Sequence, residues 1–551
     1  MNARKVASGQ NWTPAAEPVI GDFQVRSERR GASHALARAV SLHLDGKPAE
    51  ALNELYAALD RGEKEGEIYS SLGHIHFQLG QYNEAANSYW KLVQLEPAHR
   101  TASFNLAVCL EKLGRWEEAV ERFRRALDAD PARSEAHLGI GICHLQLGRL
   151  EPALEAFDLC LNQKPSQEAA LFGKAVTLQL AGRFEEAGTL YRRILQRNPK
   201  SEDCLVNLIA VDMARKDAAR VRESAEQLLA VRPHSQAAME GLAASALASG
   251  DLEAAARFCA RLVETAPDHY EAWFNLGVAH QRAGRLEEAA RAYSQAVRIR
   301  PDSPQAQVNL GIVCQETGKL AEARTAYEKA LHFDPEQTAA RWNLALVLEQ
   351  AEEHAAAEAM YVKLLEANPK WDEARFRLGY SRLQRGDFRG SAEAFETCLK
   401  SRPGWHEARL NLGIAHWRAG DTASARACFE QVCVNQPDSV DALRGLAALA
   451  LEEDDHTAAL ELHRRLIALG EKTPELFYNT GLLCQKQELM EEAARHYREA
   501  LELQPDLAEA LLNLGHALQS LGQADEARLC WRKALEAKPE LAHGYFEAVN
   551  T

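Results

Sequence analysis

The chain has 551 residues, with 64 basic and 79 acidic side chains and a formal net charge of −15. That acidic balance argues against a general binder of nucleic acid or of anionic membranes. Hydrophobic content of 46% fits a folded protein rather than a disordered one.

Residues 1–31 come first. Pro14, Pro18 and Gly21 interrupt them and mixed charges show no helical period, so they are expected to form a mobile arm. The opening MNARKVASGQNWTPAAEP has no apolar core after its basic residues, unlike a secretory signal. No run approaches the roughly 18 apolar residues of a membrane helix. Eleven cysteines without a CxxC pair fit reduced thiols. A cytoplasmic location with no membrane insertion is therefore expected.

From Ala32 a fixed beat takes over. Thirteen of the 19 prolines, Pro97, Pro131, Pro165 and so on to Pro437, then Pro505 and Pro539, lie on one series with a step of 34. This period divides Ala32–Leu541 into fifteen repeats without insertion or deletion. Place 15 of the repeat is glycine in eleven, such as Gly284, and place 8 is glycine or alanine in all but one, the exception being Ile209. Place 20 is alanine in thirteen, such as Ala289, and place 24 is aromatic in eleven, such as Tyr293.

Two stretches of helical period lie between successive prolines, such as EAWFNLGVAHQRAG and LEEAARAYSQAVRI. A glycine at place 15 suits the left-handed residue that ends the first helix. A proline at place 32 cannot continue the second. Small residues at places 8 and 20 let two helices approach, and the ring at place 24 fills the space between neighbours. One such pair cannot bury its apolar face alone, whereas stacked pairs share a core.

Two repeats depart from the beat. The sixth, residues 202–235, has Ile209, Lys216, Val221 and Ala225 at places 8, 15, 20 and 24. The thirteenth, residues 440–473, has Asp454, His463 and Glu471 where glycine, an aromatic and proline are expected. They are sites of tolerated drift or softer joints. Residues 542–551 resemble the start of a further first helix, a stub able to cover the open end.

The residues carrying this pattern resemble the tetratricopeptide repeat. The stretch 270–303 matches it at Trp273, Leu276, Gly277, Ala289, Tyr293, Ala296 and Pro301. The resemblance implies an all-α fold, a right-handed superhelical solenoid of antiparallel helix pairs. It also implies that first helices line a concave groove that binds peptides or protein segments.

Asparagine recurs at place 6 in eight repeats: Asn105, Asn207, Asn275, Asn309, Asn343, Asn411, Asn479 and Asn513. The resemblance puts this place in the groove. Asparagine is a mediocre helix former, and its amide offers both a donor and an acceptor. A row of them could hold an extended peptide backbone. The alternative is that they lock neighbouring helices. In this ladder the chain is similar to the repeat array of the O-linked GlcNAc transferase family, without a catalytic domain.

Place 2 is acidic in nine repeats, which suits a lining for basic peptides or a local capping role. In Asp268–Glu271 and Asp506–Glu509 the spacing is that of a capping box. The family's variant that clamps a terminal carboxylate needs grouped cations in the groove, and Arg377 and Arg444 are not grouped that way. His76, His144, His280 and His416 share place 11 with Cys314 and Cys484. Histidines in separate repeats cannot reach one ion at about 2 Å, so place 11 reads as a packing slot and no metal or cofactor is expected. No phosphate loop, GxSxG, HExxH or dinucleotide fingerprint occurs.

The expectation is a non-catalytic interaction scaffold with a protein or peptide partner. An accessory array for a separately encoded glycosyltransferase is the alternative. An RNA-binding helical repeat is opposed by the net charge and the 34-residue step.

Overall fold

The structure is a computed structural model that describes residues 34–63 and 65–541. The expected arm and the C-terminal stub lie outside the described residues. Within them the chain forms thirty α-helices and a short 3₁₀ turn at Pro539–Leu541, and no strand. It is all-α, built of antiparallel helix pairs, one pair to each 34-residue repeat. The chain divides into two compact halves, up to Arg300 and from Pro301 onward.

Each repeat ends its helices in two different ways, and both follow from backbone sterics. The residue before a proline is pushed out of the helical region. At place 31 that is what is found: Glu96 has φ −128° and ψ 77°, Ala266 φ −138° and ψ 79°, and Arg402 φ −131° and ψ 79°. The two repeats that lack the proline, with Glu63 and Glu471 in its place, carry a glycine one residue earlier. Gly62 and Gly470 there adopt φ of 74° and 93°. A left-handed glycine thus stops the second helix where proline does not.

Between the helices, place 15 is left-handed throughout. Its eleven glycines have positive φ, and so do the four residues that replace glycine: Lys216 (57°), Glu352 (60°), Asp454 (57°) and Glu488 (62°). The sixth and thirteenth repeats therefore keep the turn despite losing its residue.

In the eleven repeats with an aromatic residue at place 24, the core is that ring laid on the small residue at place 8. A Cβ built on Gly277 would lie 2.6 Å from the Tyr293 ring, and one on Gly413 2.6 Å from Phe429. Tyr89, Tyr293, Tyr361 and Phe395 are fully buried. The sixth repeat reverses the sizes. Ile209, Val221 and the small Ala225 share one core cluster, and a Cβ on Gly241 of the next repeat would meet Ile209 at 2.9 Å. The branched side chain fills the volume that a ring occupies elsewhere.

Five buried tyrosine hydroxyls have a partner twelve residues earlier, at place 12. Tyr191 donates to Gln179 (2.9 Å), Tyr293 to Gln281 (2.8 Å), Tyr327 to Gln315 (3.0 Å), Tyr361 to Glu349 (2.9 Å) and Tyr497 to Gln485 (2.8 Å). Where place 24 is Phe157 or Phe395, place 12 is apolar, Leu145 or Leu383. The proline carbonyls stitch neighbours together. Trp273 Nε1 donates to Pro267 at 2.8 Å, and Arg193 and Arg465 reach Pro165 and Pro437 at 3.0 Å.

Candidate functional site

The first helices carry the candidate binding residues, because places 2, 5, 6, 9 and 12 lie on them. Asn105 and Asn207 are buried, Asn479 is exposed, and Asn275, Asn309, Asn343, Asn411 and Asn513 are half-buried. Asn207 and Asn411 each donate to the carbonyl four residues earlier, Asp203 and Glu407, at 2.9 Å. Asn513 donates to the Tyr478 hydroxyl at 3.1 Å. Asn105 bonds the hydroxyl of Tyr89 in the preceding repeat.

Place 6 therefore sits against the ring of the preceding repeat. The glycines at this place show the same contact: a Cβ on Gly139 would lie 2.4 Å from Phe123, and one on Gly445 2.7 Å from Phe429. Beside Gly445 a cleft of roughly 450 Å³ opens between the helices His406–Arg418 and Val440–Glu452. Leu410, Ile414, Trp417 and Ala448 give it apolar walls, and Asp441 and Arg444 a polar edge.

The place 2 carboxylates lie in the first turn of their helices, and Glu271, Glu373 and Glu509 accept hydrogen bonds from the backbone there, but not with the capping-box spacing. The helix Tyr270–Arg282 is capped by His269, whose Nδ1 accepts from the Ala272 amide, and Ala508–Ser520 begins after Leu507. Asp268 and Asp506 thus lie one residue too early to make a capping box. Four of the nine are also held by the basic residue at place 31 of their own repeat. Glu271 pairs with Arg300 (3.1 Å), Glu373 with Arg402 (2.7 Å) and Glu509 with Lys538 (2.7 Å). Lys164 makes the same contact with Glu135. Backbone hydrogen bonds and then Arg402 hold the Glu373 carboxyl below its ordinary range, and Lys538 with backbone hydrogen bonds does the same for Glu509. The side chain that pairs is 29 residues distant, so no local motif announces it.

Arg377 and Arg444 also have internal partners. Arg377 donates to Glu349 at 2.7 Å, and Arg444 pairs with Asp441 at 3.6 Å and with Glu471. Asp212, fully buried at place 11 of the sixth repeat, lies between Arg192 (3.1 Å) and Arg215 (3.5 Å). Burial pushes its carboxyl above the ordinary value against the pull of both guanidiniums.

Two of the place 11 histidines have close hydrogen-bond partners. His76 contacts Tyr56 at 2.9 Å and Gln81 at 2.6 Å, and Arg285 Nε donates to His280 at 3.1 Å. The structure adds a cluster that comparison of one place across repeats misses. Cys484, Glu492 and His496 come together inside the fourteenth repeat. Their places are 11, 19 and 23, so the signal lay in reading three places within a single repeat.

No helix among the described residues is long and apolar enough to cross a membrane. Comparison with curated proteins gives no match. Among solved structures the chain is similar to a tetratricopeptide repeat protein from Parabacteroides merdae, at 22% identity over 45% of this chain and 98% of that one, with a TM-score of 0.35. It is also similar to a chain of the APC/C hetero-tetramer Cut9–Hcn1, at 15% identity, covering 84% and 97%, TM-score 0.32. A third is a chain of Naa15/Naa10 bound to HypK-THB, at 13% identity, covering 94% and 96%, TM-score 0.33.

One tetratricopeptide repeat profile matches residues 71–131, 110–168, 210–269, 308–370, 376–433 and 410–475. Others match 169–201, 246–310, 490–522 and 508–541. The first alone spans more than half of the chain, over helix pairs that recur every 34 residues, and the chain belongs to the tetratricopeptide repeat family.

Proposed function

We propose that the protein is a non-catalytic scaffold that holds an extended peptide or protein segment along its first helices. The observation that carries this reading is the row of asparagines at place 6. Six of the eight, Asn275, Asn309, Asn343, Asn411, Asn479 and Asn513, keep part of the side chain open to solvent in mid-helix. A primary amide both donates and accepts, so amides at one place of successive repeats match the repeating polarity of an extended backbone. Such a ladder holds a chain without selecting its sequence. The cleft beside Gly445, where the ladder lacks an asparagine, supplies room for an apolar side chain of the bound segment. Asn105 and Asn207, being buried, serve the stack first.

The test is partner capture from native lysate by the full chain and by the triple variant Asn275→Ala, Asn309→Ala, Asn343→Ala. The scaffold reading expects weaker capture with an unchanged melting curve. A lowered melting temperature with normal capture would assign the ladder to stacking alone.

A further inference from the structure

We propose that the cleft beside Gly445 seats an aliphatic side chain of a basic protein segment, whose lysines or arginines pair with carboxylates at the starts of the twelfth to fourteenth repeats. This rests on the scaffold reading for the occupant being an extended polypeptide.

Two small residues of the thirteenth repeat open the cleft. Place 6 is Gly445 between Asn411 and Asn479, and place 9 is Ala448 where the surrounding repeats have Leu346, Tyr380, Ile414 and Leu482. The facing wall keeps its bulk. Leu410, Ile414 and Trp417 line a space of roughly 450 Å³. The Trp417 ring is held in place, because its Nε1 donates to Glu452 at 2.9 Å. A preformed apolar recess takes a side chain at little ordering cost.

Charge decides what flanks that side chain. Elsewhere, four place 2 carboxylates are neutralised by a cation at place 31. Around the cleft that cation is missing three times running, since place 31 is Gln436, Gly470 and Gln504. Glu407, Asp441 and Glu475 at place 2 are exposed. Glu407 and Glu475 make no ion pair among the described residues, and Asp441 shares Arg444 with Glu471. The loops that lead into these helices add Asp438 and Asp506 against Lys472. The other ends of the same helices carry Arg418, Glu452 and Lys486. Negative charge is therefore in excess on one edge of the cleft, which attracts a cationic segment and repels an acidic one.

The experiment measures fluorescence anisotropy of labelled octapeptides with the full chain. The leucine probe, lysines and serines around one central leucine, should bind. The same peptide with alanine at the centre should bind about 10-fold or more weakly, and a glutamate-for-lysine version should not bind. Ala448→Leu fills the recess and should remove the preference for leucine over alanine. Glu407→Gln with Glu475→Gln should weaken the leucine probe about 3–10-fold. Glu67→Gln with Asp203→Asn removes the same charge at place 2 of repeats without the cleft and should leave it unchanged. The ladder variant Asn275→Ala, Asn309→Ala, Asn343→Ala leaves these three repeats intact and should bind the probe normally, so a failure of the ladder is read separately from a failure of the cleft. A wild type that does not bind the leucine probe, or binds leucine and alanine probes equally, would overturn the site without recourse to any variant. An unchanged affinity in the Glu407 and Glu475 variant, or tighter binding of the glutamate peptide, would overturn the basic partner.

Discussion

Tyr191 donates its buried hydroxyl to Gln179 at 2.9 Å, across the two helices of the fifth repeat. Four further repeats make the same twelve-residue pairing. Two repeats with phenylalanine in the ring position have leucine as its partner. Polarity at the two places is thus matched. Tyr191→Phe strands the Gln179 amide and should cost about 1–3 kcal/mol. Adding Gln179→Leu copies the pair Phe157 and Leu145 and should recover most of that loss. Denaturant unfolding checks both, and a double variant no better than the single would refute the pairing.

Glu111 breaks this matching. It stands at place 12 of the third repeat, where place 24 is Phe123 and offers no hydroxyl. Its Oε2 is buried without a hydrogen-bond partner among the described residues. Burial pushes its carboxyl up to about 7, against the opposing pull of Lys112. Its charged form in turn helps burial hold the Cys143 thiol above the ordinary range. A carboxyl whose folded pKa is raised binds protons more tightly when folded. Its stabilising contribution is full below the unfolded value near 4.3 and is lost as pH rises through about 7. The wild type should therefore lose melting temperature across that window relative to Glu111→Gln. Parallel curves for the two proteins would show that Glu111 does not titrate there.

The left-handed turn at place 15 gives a third measurement. Lys216, Glu352 and Glu488 hold φ near 60° where eleven repeats use glycine. A side chain in that region costs about 1–2 kcal/mol, and glycine returns part of it through the greater freedom of the unfolded chain. Lys216→Gly and Glu488→Gly should each stabilise by up to about 1 kcal/mol, and Gly284→Ala should destabilise by a similar amount. Asp454→Gly should gain less, because short polar side chains tolerate this conformation better. Melting curves that order these variants otherwise would place the strain elsewhere.

The repeat, its helix pairs and their turns were legible in the sequence because proline, glycine and the ring act on the residues next to them. Sites that join distant places were harder to see. Glu271 and Glu509 look like capping residues because aspartate precedes each by three. The helix starts one residue later than that motif requires, and the partners Arg300 and Lys538 lie 29 residues on. The asparagine ladder was visible as a column, yet its members differ in burial. Asn105 is 4% exposed whereas Asn479 is open to solvent, a difference that the identity of the residue at one place does not encode. Cys484, Glu492 and His496 escaped notice because places 11 and 19 carry similar residues in other repeats, while His496 is the one histidine at place 23.

The sixth repeat tests whether departures from the beat are compensated. Ile209 and Ala225 exchange the sizes found elsewhere at places 8 and 24, and both are buried. Asp212 adds a buried link to Arg192 of the fifth repeat, at 3.1 Å. Drift without compensation would leave a void beside Ala225, and the repeat would open more readily than its neighbours. With Ile209 filling that volume, Ile209→Ala should cost about 2–5 kcal/mol through the cavity it leaves. Adding Ala225→Phe rebuilds the arrangement of Ala107 and Phe123 and should restore most of the loss. Hydrogen exchange reads the same question without mutation. Protection at Leu208 equal to that at Leu344 would show a compensated repeat, and markedly faster exchange at Leu208 would mark a joint.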